Sequence, residues 1–154
     1  MHALRGGFGQ ALALNRFDRA WEAAAVAKTD KSLFLALANR AMENLEVAEA
    51  IKCYRHLGDA AMVMALEAVE HVEDQNLLAG HMALLFADYD TAQQLFLDSR
   101  QPSEALRMRK DLLHWDKALR LAEAIATWEV PECAAQQARR FELKGDTSAA
   151  FGLY

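Results

Sequence analysis

Short helical segments joined by very short connections dominate the sequence between Asp74 and Glu123. Apolar residues recur there with helical spacing in four stretches of about three turns each. Only two to four residues separate one predicted helix from the next. Connections this short force each helix to fold back antiparallel on the helix before it. The pattern therefore predicts a row of packed helices.

A small residue lies just inside most of the predicted helix starts. Ala92, Ala105 and Ala118 follow one another at intervals of 13 residues. A small side chain at this place lets a helix approach its predecessor at the low end of the roughly 8–10 Å separation of packed helices. Tyr89 and Trp115 precede helix starts, and we expect their rings to wedge into the preceding hairpin. The predicted repeat-packing residues are Ala20, Ala50, Ala92, Ala105, Ala118, Ala150, Tyr89 and Trp115.

Composition agrees with an all-helical fold, because the chain has only 2 prolines and 7 glycines while 53% of its residues are hydrophobic. The spacing of the alanines straddles the ~34-residue period of tetratricopeptide repeats without keeping it. We therefore predict an all-α, tetratricopeptide-like α-solenoid of about ten short antiparallel helices. No composition break divides the chain, so residues 1–154 are predicted to form a single solenoid segment.

The two ends of the chain lack the polar capping helices that isolated repeat arrays need. The sequence ends on the apolar residues Phe151, Leu153 and Tyr154. We therefore expect this segment to be cut from a longer solenoid. Its uncapped ends predict self-association at high concentration.

Several functional classes are disfavoured by charge and motif content. The net charge is −5, without the basic stripe that nucleic-acid binding requires, and no apolar run reaches the ~20 residues of a membrane span. Cys53 and Cys133 lie far apart and indicate reduced, buried thiols. No histidine pair has metal-ligand spacing. We therefore predict no catalytic, cofactor-binding or metal-binding residue, and no enzymatic activity.

The densest group of basic residues falls on two adjacent predicted helices. One interpretation is a mixed surface in which Glu104, Asp111 and Asp116 lie within pairing range. The other is a docking patch for an acidic segment of a partner protein. Both interpretations stay open from the sequence. The residues of this basic cluster are Arg107, Arg109, Lys110, Lys117 and Arg120.

Three sequence runs together resemble a known family. They are Leu-Leu-Ala-Gly-His at 77–81, Asp-Tyr-Asp-x-Ala-Gln at 88–93, and a longer run at 105–122 that includes Asp-Leu-x-His-Trp-Asp. This pattern is similar to the C-terminal solenoid of the WD repeat-containing protein 19 family. Members of that family are the large propeller-plus-solenoid subunits of intraflagellar transport complex A. The similarity extends over most of the chain and is weakest in the first fifteen residues and around 127–135.

The resemblance implies a scaffold that performs no reaction. Such subunits assemble with other intraflagellar transport A proteins, serve retrograde transport in cilia, and help membrane proteins to enter cilia through tubby-like adaptors. The implied locations are the cytoplasm, the cilium and the ciliary base. An alternative is the solenoid of another coat-type or adaptor protein in vesicle trafficking, since such proteins share the propeller-plus-solenoid plan. A helical enzyme is a third hypothesis, without a cluster of titratable residues to support it.

Overall fold

The computed structural model describes residues 2–26, 31–143 and 145. Within these residues the chain forms ten α-helices, one short 3-10 helix at Thr127–Glu129, and no strand. The predicted all-α fold of about ten short helices is confirmed. The α-helices are α1 (His2–Ala13), α2 (Phe17–Val26), α3 (Lys31–Glu43), α4 (Val47–Leu57), α5 (Ala60–Val69), α6 (Gln75–Leu85), α7 (Tyr89–Leu97), α8 (Ser103–Asp111), α9 (Trp115–Ile125) and α10 (Val130–Leu143).

One three-residue turn recurs at four of the helix connections in the described part of the chain. In the turn after α3, the Leu45 N–H donates to the Met42 carbonyl at 3.1 Å and the Glu46 N–H donates to the Ala41 carbonyl at 2.8 Å. This pair of bonds is a Schellman motif, and it requires a left-handed residue just past the helix end. The left-handed residues of the four turns are Asn15, Leu45, Ala87 and Leu113, with φ between 54° and 60°.

A fifth turn, between α4 and α5, has the same bonds but places glycine at the left-handed position. Gly58 has φ 76°, and the Asp59 N–H donates to the Tyr54 carbonyl at 3.0 Å. The Asp59 carboxylate then accepts from the Met62 N–H at 3.1 Å and caps α5. The sequence pair Gly-Asp predicts this stop and restart, because glycine adopts positive φ without steric cost.

The residue that closes each of the four turns also starts the next helix. Its carbonyl accepts the first helical bond, from an alanine four residues later, at 2.8–3.2 Å. Each of these alanines has no exposed surface. Only a side chain as small as a methyl group therefore fits where the second helix of each hairpin meets its neighbours. The alanines are Ala20, Ala50, Ala92 and Ala118.

Contacts divide the chain into two compact units, Met1–Met82 and Ala83–Tyr154, with the boundary inside α6. The expectation of one solenoid domain over residues 1–154 stays a prediction. The predicted helix order between Asp74 and Glu123 is confirmed, since α6 to α9 lie there. One connection is longer than predicted, because residues 98–102 separate α7 from α8.

The interior of the first unit is apolar and aromatic. Leu37 has no exposed surface and Phe34 is 2% exposed. The Phe34 ring lies 5.0 Å from the Trp21 ring and 4.0 Å from the His56 ring. The Lys52 ammonium lies 4.1 Å above the Trp21 ring, which is a cation–π contact. Rings from α2, α3 and α4 thus join three helices.

The interior of the second unit is apolar too, with Phe96 and Leu106 almost fully buried. It differs by containing a buried guanidinium, that of Arg109. None of the helices in the described ranges is long and apolar enough to cross a lipid bilayer.

Candidate partner-docking cluster

The basic cluster lies on α8 and α9, which the Leu113 turn joins. Arg107, Arg109 and Lys110 come from α8, while Lys117 and Arg120 come from α9. Burial and pairing separate these five residues into different roles. The docking interpretation from sequence treats them as one exposed group, and the structure corrects this for Arg109.

Arg109 lies in the interior with only 1% of its surface exposed. Its Nη2 donates to Asp90 Oδ1 at 2.8 Å and its Nε donates to Gln93 Oε1 at 2.8 Å. Its Nη1 lies 3.0 Å from His114 Nδ1. The Arg109 junction, formed by these four residues, therefore links α7, α8 and the start of α9. Arg109 cannot meet a partner protein directly from this position.

The junction fixes the protonation of His114. A guanidinium can only donate hydrogen bonds, so His114 Nδ1 accepts and the imidazole is neutral with its proton on Nε2. Burial, followed by the positive charge of Arg109, lowers the pKa of His114. The Tyr89 ring meets the imidazole edge-on, with the ring centres 5.7 Å apart.

Asp90 carries the negative charge of the junction at its outer side. The hydrogen bond from Arg109, followed by the charge of Lys117, lowers the pKa of Asp90. Lys117 Nζ lies 3.4 Å from the same Oδ1 atom. The Asp90 side chain is 83% exposed, so water screens both pairs. One carboxylate thus balances two basic residues from α8 and α9.

Lys110 joins α8 to the segment that starts α10. Its Nζ lies 3.2 Å from Glu129 Oε1 and 3.3 Å from Glu132 Oε2. The hydrogen bond from Glu129 raises the pKa of Lys110, although burial acts in the opposite direction. Acidic residues about twenty positions away therefore neutralise Lys110 within the chain. Sequence reasoning did not pair Lys110 with them.

Arg107 and Arg120 are the exposed members of the basic cluster. Arg107 lies 3.6 Å from Glu104, one helical turn before it, with its side chain 73% exposed. A pair this exposed contributes little to stability and exchanges readily with other partners. A docking role for Arg107, Arg120 and the half-exposed Lys117 stays a prediction.

A cavity of about 340 Å³ lies where the α8–α9 turn meets α10. Lys117 lines it from α9, and Gln137 and Arg140 line it from α10. Arg140 Nη1 donates to the Leu113 carbonyl at 3.2 Å. Sequence reasoning missed Gln137 and Arg140, because nothing local indicates that α10 returns to this turn.

The predicted repeat-packing alanines are fully buried where the structure describes them. Tyr89 and Trp115 are half-buried and begin α7 and α9. The role of the whole repeat-packing set in holding the repeats together stays a prediction. A substitution at Ala118 tests it at one position below. Ala150 lies outside the described residues. The alanines with no exposed surface are Ala20, Ala50, Ala92, Ala105 and Ala118.

Both cysteines are buried as free thiols. Burial, followed by the charge of Glu49, raises the pKa of Cys53 to about 12. Burial also raises the pKa of Cys133. A thiol attacks as its thiolate, and these environments disfavour the thiolate. In the described part of the chain, no group of three or more potential ligands is arranged to hold a metal ion.

Comparison with known proteins identifies relatives of this fold. The family described as the IFT80/172/WDR35/WDR19 TPR domain matches residues 33–129. WD repeat-containing protein 19 of Homo sapiens is 41% identical over 151 residues, which are 98% of this chain and 11% of the relative. WD repeat-containing protein dyf-2 of Caenorhabditis elegans is 40% identical over 145 residues, which are 94% of this chain and 10% of that protein.

A more distant relative is the intraflagellar transport protein osm-1 of Caenorhabditis elegans, 26% identical over 175 residues, with 96% of this chain and 10% of that protein covered. The chain thus spans about a tenth of the length of the relatives it matches. The matched family is defined by a helical-repeat domain and is not an enzyme family. The chain belongs to the IFT80/172/WDR35/WDR19 TPR domain family, and its fold is the tetratricopeptide-like α-solenoid that the sequence predicts.

Proposed function

We propose that this chain is a non-enzymatic scaffold segment of an intraflagellar transport A subunit. It acts through protein–protein contacts with other subunits of that complex, in the cytoplasm, at the ciliary base and in the cilium. The finer roles that we propose are retrograde transport and the entry of membrane proteins into cilia, with tubby-like adaptors among the partners. Self-association through the chain ends is a separate proposal.

The observation that carries this proposal is identity of about 40% over nearly the whole chain to proteins named WD repeat-containing protein 19 and dyf-2. Because the similarity covers both compact units, it supports a conserved role for the segment as a whole. The alternative of a coat-type or adaptor solenoid in vesicle trafficking has less support, because the named intraflagellar transport proteins include the more distant relative osm-1.

The chemistry of the second unit fits a scaffold. Charged groups that could serve catalysis instead join helices, since Arg109 on α8 binds Asp90 on α7 and Lys110 on α8 binds Glu132 on α10. The exposed side chains of Arg107 and Arg120 leave charge available for a partner. We propose that these two residues and Lys117 bind an acidic segment of a neighbouring subunit.

A domain exchange tests the assembly role. The matched segment of dyf-2 is replaced by this chain in nematodes that lack dyf-2, and the tagged chimera is followed in sensory cilia. We expect the chimera to enter cilia, to move in the retrograde direction, and to co-purify with intraflagellar transport A subunits. The control chimera carries an unrelated tetratricopeptide array of the same length and should do none of these.

A chimera that is folded and expressed but stays outside cilia, without the other subunits, would contradict the proposal. The docking role of the basic residues is tested in the same animals. A chimera with Arg107→Glu and Arg120→Glu should lose a partner that the parent chimera retains, whereas Arg19→Glu and Arg139→Glu should not. Equal loss from both double variants would remove the docking assignment and leave the assembly role standing.

A further inference from the structure

Helix α5 leaves an unusual amount of apolar surface exposed. Nine of its ten residues are apolar, from Ala60 to Val69, with Glu67 as the exception. Leu66 is buried, whereas the remaining apolar residues are half-buried or exposed. The Met64 side chain is 70% exposed. A helix that is apolar all round is normally covered by other elements, so α5 presents a face suited to a partner.

The exposed face forms one wall of a groove. A cavity of about 290 Å³ lies between the end of α4 and the start of α5, and its lining is mostly apolar. Tyr54 lines it from α4, while Ala60, Val63 and Met64 line it from α5. Residues three and four apart share a helix face, so Glu67 follows Val63 and Met64 along the same side.

Carboxylates border this groove without a balancing excess of basic residues. Asp59 lines the groove at the start of α5. Helical spacing puts Glu67, and the C-cap residue Glu70, beyond Val63 on the same side of α5. Arg55 lines the groove too, but it is paired with Glu67. The carbonyl end of α5, close to Glu70, adds partial negative charge. We call this surface the acidic groove.

The sequence around the acidic groove has a strong charge bias. From His56 to Met82, the part of the first unit that follows Arg55, there are five carboxylates and neither lysine nor arginine. The whole chain has 17 lysines and arginines, all of them outside this stretch. An apolar groove with an acidic border is complementary to an apolar surface with a basic border.

Charge also weighs against two other occupants. An anionic membrane surface attracts basic segments and repels acidic ones, so the carboxylates around α5 disfavour membrane binding. A second copy of the chain would bring the same carboxylates to a symmetric contact, and like charges would face each other. The groove also lies between two helices, α4 and α5, which matches the way an amphipathic helix is bound in a groove.

The geometry points to the acidic groove as the binding site for a basic amphipathic helix of a partner protein. The apolar side of that helix would cover Val63 and Met64, and its flanking lysines or arginines would meet Glu67 and Glu70. Methionine is flexible and polarisable, and it adapts to different apolar side chains. This inference extends the proposed assembly role by giving one of its contacts a defined partner chemistry.

Peptide binding to the purified 154-residue chain tests the inference. The probe is a fluorescein-labelled synthetic helix of about five turns, ~18 residues, with leucines on one face and lysines on the other. Anisotropy is measured at physiological ionic strength. We expect saturable binding that weakens with added salt. The comparison peptide, with glutamate in place of each lysine, should not bind.

Matched substitutions locate the binding site. Met64→Lys should weaken binding by roughly tenfold or more, because a buried contact at the centre of an interface is lost. Leu35→Lys adds the same charge at another exposed apolar position of the first unit and should change the affinity less than about twofold. Glu70→Lys should weaken binding by roughly threefold to tenfold, whereas Glu22→Lys, with the same change in net charge, should not. Circular dichroism checks that each variant is folded.

Other outcomes would overturn the inference. Equal effects of Met64→Lys and Leu35→Lys would mean that the peptide binds the acidic protein without a site. Co-sedimentation with phosphatidylserine vesicles that is lost on Met64→Lys would assign the groove to membranes. Dimerisation lost with the same substitution would assign it to a second copy. None of these measurements contains another transport protein, so the inference can fail while the nematode chimera still supports the assembly role.

Discussion

The two compact units use the same turn but hold their helices together with different chemistry. In residues 1–82, aromatic rings join α2, α3 and α4, and Trp21, Phe34 and His56 lie within 5.5 Å of one another. In residues 83–154, a buried guanidinium and its acceptors perform this role at Arg109. Backbone geometry therefore sets the hairpins, and the side chains that lock neighbouring helices vary between units. The first unit should tolerate changes in pH and salt better than the second.

The largest expected effect is in the first unit. Phe34→Ala removes a ring that is 2% exposed, and it should lower the free energy of unfolding by about 3–5 kcal/mol. Urea denaturation measures the loss, which should change little with salt because the Phe34 ring that is removed carries no charge. Leu35→Ala, at the exposed neighbouring position, should cost about 0.5 kcal/mol or less. Similar losses for both variants would show that the aromatic cluster does not hold this unit.

The next effect is in the second unit. Arg109→Ala removes three hydrogen-bonding contacts and buried packing, and should cost about 2–4 kcal/mol. Arg109→Met should recover part of this loss, because an apolar chain of similar length fills the space without a buried charge. The exposed Arg120→Ala serves as the control in urea denaturation. A stable Arg109→Ala variant would mean that the junction contributes no net stability.

Enlarging the buried alanines of the hairpins should lower stability by similar amounts in both units. Ala118→Leu and Ala50→Leu each force a larger side chain into a position with no exposed surface, at a cost of about 1–3 kcal/mol. Ala124→Leu, on the exposed side of α9, is the control. Thermal unfolding compares the variants. Unchanged stability for Ala118→Leu would show that the helices do not meet closely at these alanines.

A smaller and opposite effect is expected at the turns. Leu45→Gly and Leu113→Gly should each raise the free energy of unfolding by about 0.5–1 kcal/mol, because a left-handed backbone is unfavourable for a residue with a Cβ atom. Ala48→Gly, inside α4 at an exposed position, should instead lower it by about 1 kcal/mol. Urea denaturation of the three variants tests whether the turn is equivalent in the two units. A loss of stability in either turn variant would count against the shared geometry.

The smallest expected change concerns pH and is confined to the second unit. The folded state lowers the pKa of His114 below its ordinary value of 6.5, so the unfolded chain binds more protons in the interval between the two pKa values. The stabilisation from neutral His114 is complete above about pH 6.5 and is lost as the pH falls through the folded pKa. Asp90 does not contribute in this range, since its lowered pKa moves its titration below 3.8.

His114→Gln retains an acceptor for Arg109 but cannot titrate. Chemical denaturation between pH 7 and pH 5 should therefore show a decline in stability for the parent chain that is reduced in the variant. Parallel curves for the two proteins would mean that the imidazole is not held neutral by Arg109.

The sequence predicts the helices well because their signals are local. Apolar periodicity and the small alanines locate α6 to α9, and the Gly58-Asp59 pair locates a turn. The four remaining turns carry Asn15, Leu45, Ala87 and Leu113 at the left-handed position, and three of these are residue types that give no turn signal. They adopt this conformation because packing on both sides of the turn imposes it.

The candidate site is less predictable from sequence because it depends on long-range contacts. Composition alone does not distinguish the buried Arg109 from the exposed Arg107, two residues away on the same helix. The partners of Arg109 and Lys110 lie 16 to 22 residues away along the chain, apart from His114. The acidic bias beside the groove could have been found, since the absence of lysine and arginine between His56 and Met82 is visible in the sequence, whereas the groove itself depends on how α4 packs on α5.

One residue of the recurring turn has two structural roles, and this restricts where such chains can vary in length. Glu46, Asp88 and His114 each complete the end of one helix and accept the first bond of the next. An inserted or deleted residue there would separate these two tasks and rotate the alanine that follows out of its place, since each residue turns a helix by about 100°. Changes in length should therefore accumulate in the connections without this turn, such as residues 98–102, while the hairpin turns keep their size.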